Sequence, residues 1–300
     1  RASVLVGSTV AVLVLVLACG TVRLLIRQPG QQVKVGLATS DTVDYVADPG
    51  APTDVLFQRY AAAVETLAAQ GARVVVLPEK LGVVLDTQTT DATDAFFEKL
   101  VDRSGAAIVV GVVRVAKDGK KYNEARVYLP GRPPATYDKE HMLPPFESDL
   151  TPGTALTTLS RGNMTWGVQI CKDMDFTPLS TEYGRKGVGV MLVPGWDFVA
   201  DWLFHGHMAI MRGVESGFSV VRAAKQGSLY VSDDRGRILA EIRSAPGTFP
   251  TLLATVPAGH DDTVYDRMGD WAAYLTLLVL LVAIGRLVWL WKQPARTGGT

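Results

Sequence analysis

Two long uncharged runs at opposite ends of the chain limit what it can fold into more than any other feature. Val4 to Val22 holds only Val, Leu, Ala and a few small residues, and Trp271 to Trp291 is similar, broken only by Arg286. Each is long enough to cross a hydrocarbon core of roughly 30 Å as a helix. Arg286 is close enough to the end to snorkel toward headgroups, and Trp289 and Trp291 suit an interface. Two alternatives stay open. The second run could be a buried core helix, although such a helix normally shows a polar face. In the first, Val16-Leu17-Ala18-Cys19-Gly20 loosely matches a lipoprotein cleavage box in which Cys19 would be acylated. The chain begins with Arg rather than Met, so earlier sequence is expected. The expected divisions are 1–27 as a spanning helix, 32–260 as a catalytic domain, 271–292 as a second span and 293–300 as a tail.

The flanking charges give mixed signs. Lys292 and Arg296 follow the second run, while Asp261, Asp262, Asp266 and Asp270 precede it. This favours a cytoplasmic C-terminus with the middle domain on the other side. Arg23, Arg27 and Lys34, on the domain side of the first run, argue the opposite way.

Residues 32–260 alternate between strand-like and helix-like patterns. Strands are expected at Val33 to Ala38, Arg73 to Leu77, Ala107 to Val115, Ala125 to Leu129, Thr165 to Ile170, Val188 to Val193, Val220 to Ala223 and Ser228 to Ser232. Phe57, Tyr60, Ala61, Val64, Leu67 and Ala68 recur at helical spacing, so Val55 to Gln70 reads as an amphipathic helix. Further helices fit Ala92 to Arg103, Leu179 to Gly184 and Asp201 to Ser216. Asp234-Arg235-Gly236-Arg237 separates two strand-like runs as a tight turn would. The class is α/β with a buried sheet. The formal net charge is zero, from 30 basic and 30 acidic residues, so nothing marks a nucleic-acid partner. Two cysteines, Cys19 and Cys171, make neither a disulfide framework nor a zinc cluster.

Three polar residues close apolar or strand-like segments, where an α/β fold opens its crevice. They are Glu79 after Val74 to Pro78, Lys139 after Ala135 to Asp138, and Cys171 after Trp166 to Ile170. Taken singly, each has an ordinary structural explanation. Together they supply a nucleophilic thiol, a base for its proton and a cation for the developing oxyanion. The backbone N–H of Lys172 could complete the oxyanion site. This set suits acyl transfer through a thioester and calls for no metal or cofactor.

The same stretches resemble the nitrilase (carbon–nitrogen hydrolase) superfamily, which carries Glu, Lys and Cys in this order. The matching segments are Leu77-Pro78-Glu79, Asp138-Lys139-Glu140-His141 and Ile170-Cys171-Lys172-Asp173. Glu147 falls where many members have a second active-site glutamate, and Asp173 matches an acidic position after the nucleophile. Thr151-Pro152-Gly153, Arg222 to Gly227 and Ser232 to Arg237 are similar too. The resemblance implies an α-β-β-α sandwich, here flanked by transmembrane helices. Tyr265-Asp266-Arg267-Met268-Gly269-Asp270-Trp271 before the last run resembles the apolipoprotein N-acyltransferase branch, as does Met208 to Gly217. That branch implies a bacterial inner-membrane enzyme with an extracytoplasmic catalytic domain. It would carry an acyl chain from membrane lipid to a lipoprotein amine. Lys80, Pro144-Pro145-Phe146, Lys172 and a short Lys139-to-Cys171 segment depart from that branch and keep a membrane-tethered amidase open.

Overall fold

The computed structural model describes residues 2–26, 30–40, 53–86 and 90–292. The tail at 293–300 and Arg27 lie outside them. Two sheets face each other, each covered on its outer side by two helices, giving the expected α-β-β-α layering. The first sheet runs β13 (Thr251–Pro257), β1 (Gln32–Ala38), β2 (Val74–Val76), β4 (Ala107–Val115), β5 (Lys121–Leu129) and β6 (Arg132–Asp138), with β3 (Val83–Leu85) also on β4. The second runs β12 (Ile238–Arg243), β11 (Ser228–Ser232), β10 (Ser219–Lys225), β9 (Val190–Trp196), β8 (Met164–Val168) and β7 (Thr157–Arg161).

Strand alternation sorts side chains between the layers. Val74 and Val76 of β2 face the second sheet and join Val168, Leu192 and Val221 in the inter-sheet core. Val75, between them, turns outward onto α2 (Thr53–Ala69) and α3 (Thr90–Ser104), with Tyr60, Leu67 and Phe97. On the other side, α4 (Thr177–Arg185) and α5 (Trp202–Ser216) cover Met191, Val193 and Val220. Strands buried on both faces carry continuous apolar runs, which is why β4 and β11 have the bounds expected from sequence.

Three departures have physical reasons. β7, Thr-Thr-Leu-Ser-Arg, is a short polar edge strand and gives little periodic signal. β13 is mostly half-exposed and pairs antiparallel with β1, a long-range partnership that local pattern does not encode. The strand expected to run to Ile170 ends at Val168, and Cys171 opens a 3-10 turn, Cys171–Asp175.

α1 (Ala2–Leu25) and α7 (Trp271–Trp291) stand off the domain, long and apolar enough to cross a membrane, and neither has a buried spanning window. α7 buries no residue, which removes the core-helix alternative. Both helices join the same end of the sandwich. β1 begins there at Gln32, opposite Pro257 at the end of β13. Arg23 near the end of α1 pairs with Asp261 at 3.1 Å. α6 (Val264–Met268), capped by Thr263 accepting from the Asp266 N–H at 3.0 Å, leads into α7.

Candidate active site

The opposite end of the sandwich, at the C-terminal ends of β2, β6, β8 and β9, holds a cavity of about 180 Å³. Glu79, Lys139, Glu147 and Cys171 line it together. Glu79, Lys139 and Cys171 reach it from just beyond β2, β6 and β8, and Glu147 from the turn that follows β6.

Glu79 follows β2 and is held in place by backbone. Its N–H donates to the Gly195 carbonyl at 3.3 Å, and Leu77 N–H donates to Val109 O at 2.8 Å. A Cβ on Gly111 would sit 2.6 Å from the Glu79 Cα, so only glycine lets the two segments approach this closely. Glu79 Oε1 accepts from Asn123 Nδ2 and from Lys139 Nζ, the latter at 3.1 Å. Its Oε2 is buried and has no hydrogen-bond partner among the described residues. That oxygen is the one available acceptor on the carboxylate.

Lys139 directly follows β6 in a fully enclosed position. Its N–H donates to Asn123 O, and Gly153 N–H donates to Lys139 O, both at 2.8 Å. The Thr151-Pro152-Gly153 segment therefore braces the strand that presents the lysine. The ammonium donates to Glu79 Oε1 and to Glu147 Oε2, the latter at 2.9 Å. Asn123 Nδ2 also reaches Glu147 Oε1 at 2.9 Å. Leu143 N–H donates to Glu147 Oε2 at 2.9 Å, folding the loop onto its own glutamate.

Cys171 has φ of 46°, a left-handed conformation that a side chain adopts at a cost of about 1–3 kcal/mol. Its thiol donates to the Trp196 carbonyl at 3.4 Å. Asp173 holds the strained turn down. Its carboxylate accepts from Ile170 N–H at 3.2 Å, His141 N–H at 2.8 Å and the Tyr137 hydroxyl at 2.8 Å. Asp173 thus ties the turn to β6 and does not line the cavity. The Lys172 side chain also leaves the cavity, half-exposed beside Asp175 at 3.9 Å. Only its backbone remains near the Cys171 thiol.

Sequence reasoning missed three participants. Asn123 bridges both glutamates from near the start of β5, where a polar side chain at the edge of a buried strand is the available signal. Lys80, noted only as a departure, has φ of 52° and directs its ammonium to Glu147 and, at 3.8 Å, to Glu79. Asp197, lining the cavity, forms a fully buried bidentate pair with Arg222 behind the sulfur.

The charge states follow from this geometry. Burial pushes the Glu79 carboxyl upward, but Lys139, Lys80 and Asn123 together outweigh it and hold it at about 2. Burial and the Glu79 charge push the Cys171 thiol up to about 12, against the opposing pull of Lys139 and Arg222. Lys139 resists its burial and stays above the usual lysine range because of Glu79, Cys171 and Glu147. The resting site is thiol, carboxylate and ammonium. A buried free thiolate is disfavoured there, so the arrangement suits proton transfer coupled to attack on a bound carbonyl. Among the described residues no cluster could hold a metal ion.

A strained cysteine just past a strand end, a lysine and two glutamates thus meet at one cavity of an α-β-β-α sandwich. Residues 51–259 match the carbon–nitrogen hydrolase family, and the chain belongs to that family, within the nitrilase superfamily. Apolipoprotein N-acyltransferase from Vibrio vulnificus is 26% identical over 227 residues, 63% of this chain and 42% of that protein. The chain therefore spans less than half the length of that curated relative. Among solved structures, Nit3 of Saccharomyces cerevisiae superposes with a TM-score of 0.64 at 24% identity, covering 76% of this chain and 90% of that one. An amidase mutant from Nesterenkonia sp. AN1, carrying the acetamide moiety of fluoroacetamide on its active-site cysteine, gives 0.63 at 19% identity. That match covers 78% of this chain and 94% of that one.

Proposed function

We propose that this chain is a membrane-anchored acyltransferase that loads an apolar acyl group onto Cys171 as a thioester and passes it to an amine. The observation that carries the reading is the composition of the cavity wall above the thiol. Leu143, Phe146, Trp196 and Phe198 complete the lining around Glu79, Lys139 and Cys171. The Phe146 and Phe198 rings are 5.3 Å apart and partly exposed, and Phe204 and Leu203 extend the exposed apolar surface at the start of α5. A hydrocarbon chain leaving the cavity would meet aromatic surface rather than charge.

In the first half-reaction Glu79 Oε2 takes the Cys171 proton as Sγ attacks the acyl carbonyl. Lys139 Nζ and the Lys172 N–H stabilise the tetrahedral oxyanion. Collapse breaks the carbonyl bond to the leaving group, which departs with the proton from Glu79. In the second half-reaction an amine attacks the thioester and gives its proton to Glu79. Cys171 leaves and recovers that proton, so the site returns to its starting state. Glu147, paired with Lys139 and Lys80, fixes the lysine that holds the oxyanion. The expected donor is a phospholipid and the expected acceptor a lipoprotein N-terminal amine, in keeping with what the Vibrio relative is called.

The setting proposed is a bacterial inner membrane with the domain outside the cytoplasm. The sequence conflict over Arg23 eases in this geometry, because Arg23 is ion-paired with Asp261 rather than left as an isolated positive flank.

A specific observation favours a second reading, amide hydrolysis. The cavity lies at the far end of the strands from the two spans. A seven-residue strand such as β1 separates the levels by roughly 23 Å at about 3.3 Å per residue. A water-soluble amide reaches that position more readily than a lipid.

The deciding experiment is intact-mass analysis of the full chain in detergent after incubation with phospholipid, then with a lipopeptide or with water alone. A Cys171 acyl adduct transferred to the lipopeptide amine is expected. With a small amide as donor in a parallel incubation, an adduct formed from it and released only to water selects the amidase, and no adduct from either lipid or amide donors sinks both readings.

A further inference from the structure

A second cavity of about 380 Å³ opens at the other end of the sandwich, between the two sheets. Gln31 and Gln32 at the start of β1, Arg73 just before β2, Arg161 at the end of β7 and Trp166 on β8 line it. Along β8 and its continuation, Trp166 precedes Cys171 by five residues, so this cavity is separate from the catalytic one.

Its charge is one-sided. Arg161 is pulled below the usual arginine range by burial and by the like charges of Arg73 and Arg132. No carboxylate ion-pairs with Arg73 or Arg161 among the described residues. Arg132 donates to Ser160 O at 3.0 Å and also borders a groove containing Glu98 and Asp102, so it belongs to the edge of the cluster. The Arg161 guanidinium lies 5.7 Å from the centre of the Trp166 ring. Trp166 is fully buried, and its indole N–H has no acceptor among the described residues. Like charges gathered without a counter-charge, beside a donor without an acceptor, are the electrostatic outline of an absent anion.

The position says where that anion comes from. α1 ends at Leu25 and the chain reaches the cavity by Gln31, a span of at most roughly 20 Å. Ala258 N–H donates to Gln31 O at 2.8 Å, which ties the segment leading to α7 to the same strand end. Both apolar helices therefore join the domain at the same end of the sandwich as this cavity. Planar guanidinium groups match phosphate oxygens, and basic pockets next to a bilayer collect anionic headgroups.

We infer that Arg73 and Arg161 form a phosphate-binding site that seats an anionic lipid headgroup and sets the domain upright on the bilayer. This rests on the membrane placement proposed above, not on the thioester chemistry. It also accounts for the catalytic cavity facing away from the spans.

The test is native mass spectrometry of the full chain in detergent with phosphatidylglycerol or phosphatidylcholine, beside calorimetric titration with inorganic phosphate. The wild-type chain is expected to retain phosphatidylglycerol preferentially. The double variant Arg73→Gln/Arg161→Gln is expected to lose roughly 10- to 30-fold of that affinity, and Arg73→Lys/Arg161→Lys less. Both arginines are at least partly exposed, and an unchanged melting temperature verifies that the variants fold. Cys171→Ala is expected to bind lipid as wild type does, which separates this result from failure of the acyl chemistry. Phosphate binding lost in the Gln variant, without lipid preference, keeps the anion site and assigns it to a soluble phosphate. Equal binding by wild type and the Gln variant, or no binding of either ligand by wild type, overturns the proposal.

Discussion

Lys80 turns its ammonium across the candidate active site onto Glu147, one residue after the backbone has delivered Glu79 to the same cavity. Two carboxylates therefore share two ammonium groups, Lys139 and Lys80, and Lys80 is among the causes holding Glu79 near 2. Replacing Lys80 by Met removes that contribution, so the Glu79 pKa rises. An opposite charge at this range shifts a carboxyl by about 1–3 units. The acid limb of the pH–rate profile for Cys171 acylation is expected to move upward by on the order of one unit. An acid limb that stays in place would show that Lys80 does not tune the base.

Asn123 is the neutral member of the same network, donating one amide group to both Glu79 and Glu147. Asn123→Leu leaves two buried carboxylates short of a donor. Hydrogen bonds to charged groups contribute about 1.5–3 kcal/mol, and the leucine has to fit a polar site. A loss of roughly 2–4 kcal/mol in urea unfolding is expected. Acylation should also slow, because Glu79 Oε1 then loses its amide donor and is positioned by the ammonium groups of Lys139 and Lys80. Wild-type stability in this variant would mean that the network relaxes without Asn123.

Gly111 tests how the fold positions chemistry at a distance. It carries no functional group, yet a Cβ there would collide with the Glu79 Cα and the Pro78 carbonyl. Gly111→Ala is expected to destabilise by about 1–3 kcal/mol through overpacking. It should also cost at least about 10²-fold in acylation rate, since a shift near 1 Å has that effect. A variant that melts lower but acylates at the wild-type rate would place the strain elsewhere.

What was legible in the sequence followed from burial. Glu79, Lys139 and Cys171 stood out because each interrupts an apolar run at the point where a buried strand must end. The interior strands were legible for the same reason, while β7 and β13 were not, since an edge strand is specified by its partner more than by its own pattern. Asn123 was hidden because a polar residue within a strand has the same local signature whether it faces water or two carboxylates. The direction of Lys80 depends on its left-handed backbone, which no spacing rule foretells for lysine. Asp173 and Lys172 follow Cys171 directly, but in a 3-10 turn the carboxylate points back into β6 and the ammonium toward solvent. A strand continuing to Ile170 would have aimed them differently.

The thiol itself makes the last prediction. Its folded pKa, about 12, lies above the ordinary value of 9.0, so the folded state favours the protonated form. The stabilising difference is fully present below pH 9, where both folded and unfolded thiols are protonated. It declines as pH rises from 9 toward 12, because the unfolded thiol ionises first and the unfolded state gains. Unfolding free energy of the wild-type chain should therefore fall across this window more steeply than that of Cys171→Ala. The difference between the two slopes approaches about 1.4 kcal/mol per pH unit, the contribution of one proton. Denaturant titrations at pH 8, 9 and 10 (roughly one unit either side of the ordinary thiol value) measure it directly. Parallel curves for the two proteins would mean that the thiol ionises in the folded site as readily as in the unfolded chain, and that burial does not hold it protonated.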